Sequence, residues 1–404
     1  MPVNWAISYL RGRAIGRRLR RPARRLPILY VPGILGVKLH DPRHRVDVWG
    51  DFRGILLRNP AHAGYALDGD GGNGGGAVAT DPLHYFRIVP WLVDTLITAE
   101  IKHVLEQGLG YREGHDLFFL GYDWRRDYRH LAGCLEAELR RIGAGFGPRR
   151  PVILLGQSVA NLAVRYLVRH GPRDLDGAIA KWYAFGPTWR GTYHALHMLR
   201  EGYYPASRRF HGFSPEDALS YPACLQLLPH DPVLIGPGGA RSALDLDDVD
   251  CWLAHGLGPR RLAASPAARR ALGRELGRLR ALRDEVTGSH PRDARVPQTW
   301  FAGSRNRAVV AAIPHPEGAL VSEKQIARQP GDLAARALAP GDDHIPLAHL
   351  TEAACGPVVR SYDSIPYGES YLLVGAPKDH RAIINHPPNL AALAADLAEV
   401  NARA

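Results

Sequence analysis

The stretch Gly156-Gln157-Ser158-Val159-Ala160 follows an apolar run, Pro151 to Leu155, and precedes residues whose apolar positions Leu162, Tyr166 and Leu167 recur at helical spacing. A serine in a sharp turn between a strand and a helix has the context of a nucleophile elbow, where small neighbours let the chain reverse while the hydroxyl stays accessible. The usual pattern is GxSxG, and Ala160 stands in place of the second glycine, adding a single methyl where the helix meets the strand. Serine is also a common helix N-cap. The chemical reading therefore rests on the strand before Ser158 and the helix after it, not on the tripeptide.

A serine hydroxyl is a poor nucleophile at neutral pH and needs a histidine to take its proton, with a carboxylate to fix the histidine's tautomer. In folds built around this elbow the chain order is serine, acid, histidine. PGDDHIPL, Pro340 to Leu347, offers Asp342 and Asp343 in a turn after a late strand, and either carboxylate could reach. His380 follows the strand-like ESYLLVGAP and is the best placed of the 19 histidines, with His344 and His386 as competitors. The oxyanion of a tetrahedral intermediate needs two backbone N–H donors, one after the nucleophile and one in the loop after an early strand. Val159 and Ile34, the latter within PGIL, occupy those places.

The elements that must carry these residues alternate. LPILYVPGIL at Leu26 reads as a first buried strand, 90 to 109 has helical periodicity, and DLFFLGYDWR at Asp116 is strand-like again. PVILLG, the helix from about Val159 to His170, AIAKWYAFGP, VPQTWFAG and SYLLVGAP continue the pattern, which closes with a helix over about 388 to 402. Such alternation predicts an α/β fold, with a largely parallel sheet covered by helices. Residues 41 to 80, ending in DGDGGNGGG, read as an irregular lid-like loop. Between 191 and 295 the strand signal fades into Pro-rich loops and an Arg-laced helix broken at Pro266, as in a cap inserted into one domain. The expected division is a basic arm (1–25), a first core segment (26–190), the cap (191–295) and a second core segment (296–404).

The 404 residues, 46% hydrophobic and 23% charged, can bury a large core. Eight arginines and no acid lie between Arg11 and Arg25, so the rest of the chain holds only +3 of the net +11. The positive charge belongs to the arm, which with Trp5, Ile7, Tyr9 and Leu10 suits peripheral contact with an anionic membrane; its other reading is a solvated, disordered arm. Only five lysines accompany the arginines, which argues against nucleic acid as partner. Cys134, Cys224, Cys251 and Cys355 show no CxxC pair, so neither a zinc site nor a redox dithiol is expected. No apolar run of signal-peptide or membrane-spanning length is present, and the expectation is a cytoplasmic protein with at most peripheral membrane contact.

Seven blocks in order resemble the lecithin:cholesterol acyltransferase family of α/β-hydrolases, which includes lysosomal phospholipase A2 and phospholipid:diacylglycerol acyltransferases. They are YVPGILGVKL, LGYDWRRD, GQSVANLAVRYLV, FGPTWRGT, SYPACLQLLP, GDDHIPLAHL and DHRAIINHP, spanning about Leu26 to Leu397. The resemblance implies an α/β-hydrolase fold with an inserted cap or lid, a Ser158–Asp342–His380 triad, and an oxyanion site at Ile34 and Val159. It also implies transfer of an acyl group from a lipid ester to Ser158 and on to an alcohol or water, without metal or cofactor. It puts lid and membrane-binding elements at Trp49 and the 41–80 loop. Departures are Gln157 where the family usually has His, Ala160 for Gly, and Asp343-His344 for Gly-Thr; the lid disulfide of secreted members cannot form, because the first cysteine is Cys134. Two other readings stay open: an esterase for a soluble acyl substrate, and a non-catalytic relative serving as a binding module.

Overall fold

The computed structural model describes residues 3–19, 24–50, 76–89, 93–147, 150–203, 212–259, 261–304, 306–315, 320–321, 323–326, 328–351, 359–362 and 380–403. Six strands form the central sheet: β1 (Ile28–Val31), β2 (Leu117–Phe119), β3 (Val152–Gln157), β4 (Ile179–Phe185), β5 (Gln298–Gly303) and β6 (Val359–Tyr362), in the order β6-β5-β4-β3-β1-β2. Every neighbouring pair is parallel. Parallel strands buried on both faces read as unbroken apolar runs rather than alternating ones. That is why VILLGQ of β3 is buried at all six positions.

Side chains alternate across the sheet and build two cores. Leu29, Val31, Leu154, Trp182, Ala184 and Trp300 pack on one face with α2 (Tyr128–Phe146) and α3 (Ala160–His170), through Leu135, Leu139, Leu162 and Ala163. Ile28, Tyr30, Ile153, Leu155, Phe185 and Phe301 face the other way, onto Ile101 and Leu105 and the C-terminal helix Pro387–Arg403. Because the strands run the same way, their C-terminal ends share one edge, and the loops leaving β1, β3 and β4 converge there.

Between β4 and β5 the chain leaves the sheet for helices, among them Tyr193–Glu201 and Pro266–Val286, and a two-stranded ribbon of Val233–Ile235 with Arg241–Ala243. Helical structure is interrupted before Pro266 as expected: a short turn, Arg261–Ala264, ends there, and the long helix starts at Pro266, where Ser265 caps it by accepting from the Ala268 amide and proline at N1 has no N–H to lose. The C-terminal end of this helix is tied to α3. Buried Arg165 donates to Val286 O and lies 3.5 Å from the centroid of the Trp189 ring, while Arg169 donates to Glu285 O, Thr287 O and Gly288 O and pairs with Asp293. Guanidinium groups thus satisfy the carbonyls left over at a helix end.

The structure corrects several sequence readings. Residues 90 to 109 are not one helix: Val93–Leu96 is a strand paired with Tyr85–Val89, and helix begins only at Ala99, passing into a π-helical turn at Val104–Gly108. The first half of that window alternates as well as it spirals, and pairing decided the outcome. The 41–80 region is not all irregular, since Val46–Trp49 and Val78–Pro82 pair with Val37–Asp41; residues 51–75 lie outside the described residues. Trp49 is a core residue, its indole donating to Leu35 O and set edge-on against Trp124 at 5.6 Å, which removes it as a membrane contact. The arm is not wholly a solvated tail: α1 (Val3–Gly16) is a helix seated on residues 99–108. The strand expected at 370–377 lies outside the described residues, whereas β6, unmarked in the sequence reading, forms the sheet edge.

Candidate active site

Ser158 sits at the C-terminal end of β3 with φ at +55°, a left-handed conformation that costs a non-glycine residue about 1–3 kcal/mol. Several contacts hold it there. Its amide donates to Phe185 O at 2.8 Å. Its carbonyl accepts from the Asn161 amide at 3.1 Å and from Asn161 Nδ2 at 2.8 Å. Asn161 is itself fixed, because its Oδ1 accepts from the Trp182 indole at 3.0 Å. A methyl on Gly156 would stand 2.2 Å from that Oδ1, so glycine is needed for the side chain to reach across the turn. Gly33 closes the other side, where an added Cβ would lie 3.0 Å from Ser158 Cβ. Replacing Asn161 by alanine removes the Nδ2 donor to the Ser158 carbonyl and the acceptor of the Trp182 indole, leaving the backbone amide contact, and is expected to lower kcat about 10- to 100-fold with little change in KM, read from steady-state ester hydrolysis.

His380 spans the other two members. Its Nε2 is 2.8 Å from Ser158 Oγ and its Nδ1 is 2.5 Å from Asp342 Oδ2. An ionised carboxylate only accepts, so the tautomer that satisfies both contacts carries its proton on Nδ1 and leaves Nε2 to accept from the serine hydroxyl. Asp342 is held by its other oxygen, which accepts from the Ile345 amide at 2.8 Å. All three are buried, with exposures of 8% for Ser158, 2% for Asp342 and 8% for His380. Dry surroundings strengthen each of these contacts.

Of the two carboxylates left open by position alone, Asp342 is the one bonded to His380. Its strand, Leu338–Gly341, is not in the central sheet as the sequence suggested; it pairs antiparallel with Asn306–Val309. The competitor His344 lies beside the site with its ring 6.1 Å from that of His380, and His386 lies in the turn before the C-terminal helix. Asp343 has φ at +86°, where glycine is at ease and aspartate is strained. Asp343→Gly is expected to raise stability by about 1 kcal/mol, measurable by denaturant unfolding.

Ile34 lies in the loop after β1, next to Leu35 with φ at +66°, and Val159 is the N-cap of α3. Among the described residues neither amide donates to a backbone carbonyl. Sequence reasoning missed four residues that shape the site: Asn161, Trp182, Tyr30 and Gly186. Tyr30 donates to Gln157 Oε1 at 2.6 Å, burial holding its hydroxyl protonated by raising its pKa well above the usual value. That bond occupies the residue found where the resembled family has histidine. Gly186, with φ at +54°, presses against the imidazole: a Cβ there would be 2.6 Å from His380 Cε1. The FGP that follows a core strand was the available signal, but nothing in the sequence says what the glycine faces. Among the described residues no cluster of histidine, cysteine and acids could hold a metal.

A parallel sheet with helices on both faces, and a serine elbow at its C-terminal edge, is the α/β-hydrolase fold. No family model matches the chain. It is similar to the lysosomal phospholipase A and acyltransferase of Bos taurus, at 32% identity over an alignment of 101 residues, with 23% of this chain and 23% of that protein covered. Among solved structures, the crystal structure of the Tle4-Tli4 complex contains a chain that superposes with a TM-score of 0.57 at 14% identity, over 94% of this chain and 99% of that one. The Bacillus licheniformis lipase BlEst2 in mature form aligns over 90% of this chain and 89% of its own at a TM-score of 0.38 and 14% identity.

Proposed function

We propose that the protein is a serine acyl hydrolase or O-acyltransferase acting on a lipid or other acyl ester. The observation that carries this reading is His380, which joins Ser158 Oγ and Asp342 through its two ring nitrogens. In acylation, Ser158 Oγ bonds to the ester carbonyl carbon as its proton passes to His380 Nε2, and Asp342 stabilises the imidazolium. The amides of Ile34 and Val159 receive the oxyanion. Collapse breaks the ester C–O bond, and His380 returns the proton to the departing alkoxide. In deacylation, water or an alcohol gives its proton to His380 Nε2 as its oxygen bonds to the acyl carbon; the bond from that carbon to Ser158 Oγ then breaks, and His380 returns the proton to Oγ. Residues 191–295 act as the cap over this chemistry in the proposed organisation, and the bovine relative's name and the block resemblance support a lipid as the ester.

The test is a panel of esters of rising acyl length, each with and without an alcohol acceptor. Turnover rising with chain length supports a lipid substrate, and acyl ester formed with the alcohol supports transfer. Preference for short soluble esters would favour the esterase reading, and absence of turnover on every ester by a folded protein would refute acyl chemistry altogether.

A further inference from the structure

The helix α1 has two faces of opposite character. Ser8 and Gly12 are buried, and Ile15 and Leu19 pack against the second core. Ser8 Oγ lies 2.9 Å from His103 Nδ1, Arg11 pairs with Glu100 at 2.6 Å, and Tyr9 meets the His103 ring edge-on at 6.0 Å. Two glycines one helical turn apart bring the backbones together: a methyl on Gly12 would be 2.5 Å from His103 O, and one on Gly16 would be 2.5 Å from Gly108 Cα. This seating fixes the rotation of the helix about its axis. Leu10, Arg13 and Ala14, which share one side by the i, i+3, i+4 rule, consequently face solvent, and Arg17 and Arg18, in the turn that follows the helix, are exposed beside them.

Leu10 is 61% exposed, the most exposed large apolar side chain among the described residues. Arg13, Arg17 and Arg18 form no ion pair among the described residues, and the first acidic residue in the chain is Asp41. The fold therefore spends a buried helix–helix contact on presenting an exposed leucine among unneutralised guanidiniums. We infer that this outward face of α1 is a docking surface for an anionic lipid bilayer. Guanidinium groups take lipid phosphates at the headgroup level, and the leucine reaches the acyl boundary just beneath. A nucleic-acid backbone would match the charges and leave Leu10 without an apolar partner. Among the described residues no helix is long and apolar enough to cross a membrane, and the proposed attachment is peripheral.

Co-sedimentation of the full chain with phosphatidylcholine vesicles, with and without phosphatidylglycerol, tests this. The wild type is expected to bind only the anionic vesicles, less so as salt is raised. Each arginine near a charged surface is worth about fivefold, so Arg13→Gln, Arg17→Gln and Arg18→Gln together should weaken binding roughly 100-fold. The same three positions changed to lysine should retain most of it, and Leu10→Ser should weaken binding several-fold without altering the salt slope. The melting temperature of each variant reports whether α1 keeps its seat; should the triple variant lose it, the Leu10→Ser and lysine variants and the wild-type salt series still decide. Equal wild-type binding to neutral vesicles, or undiminished binding by a folded triple glutamine variant, would overturn the inference. So would duplex DNA bound through these arginines in a protein that ignores anionic vesicles.

Discussion

Ser158→Ala and His380→Ala are each expected to abolish labelling by a fluorophosphonate and to lower ester turnover by about 10⁴-fold or more. The phosphonate reports activation of the serine independently of the acyl substrate, since an unassisted hydroxyl reacts slowly. His380 is the only group within hydrogen-bond distance of Ser158 Oγ among the contacts described, at 2.8 Å, so its loss leaves the serine proton without an acceptor. Asp342→Asn should cost nearly as much, because an amide at 2.5 Å from Nδ1 can donate and so favours the wrong tautomer. The three losses should not add, since each removes the same proton path. Rapid labelling that survives in His380→Ala would mean another base serves Ser158 and would dismantle the proposed triad.

Gly186→Ala should be damaging to a lesser but still large degree, although the residue touches no substrate in the proposed mechanism. Its φ of +54° disfavours any side chain, and the added methyl would stand 2.6 Å from His380 Cε1 and 3.0 Å from Nδ1. The backbone has little freedom to retreat, because the Gly186 amide donates to Phe301 O at 2.8 Å and Pro187 follows. The imidazole must therefore move, and a displacement of about 1 Å at a catalytic group costs on the order of 10²-fold. A fall in kcat of about 10²- to 10³-fold is expected, with KM and unfolding midpoint changing far less. A kcat within twofold of wild type would show that the ring tolerates the intrusion and that the glycine is there for its backbone alone.

What the chain declares locally and what it leaves to assembly separate along physical lines. The sheet was legible because buried parallel strands are continuous apolar runs: VILLGQ and IAKWYAF need no partner to be recognised. Ser158 was legible for a similar reason, since an elbow is a local event of strand, small residues and helix. Where two periodicities compete within one window, as over 90–109, local pattern failed, and pairing of Val93–Leu96 with Tyr85–Val89 decided. The N-terminal segment misled through its charge; the seat of α1 depends on Gly12 and Gly16 meeting His103 and Gly108, a match between segments some ninety residues apart.

By itself, then, the sequence determined the fold class, the nucleophile-like serine and the short roster of acids and bases, because each follows from residue type and near-neighbour spacing. Position along the chain left Asp342 and Asp343 both open and the block resemblance pointed to Asp342; only the tertiary structure shows the contact itself, Asp342 lying 2.5 Å from His380 across 38 residues of chain. Only it revealed the Asn161 clasp on Ser158 O and the glycine behind the imidazole. Hydrogen bonds and van der Waals contacts act over a few ångströms in space, whatever their separation along the chain, so partners of that kind are fixed when the sheet and its loops come together.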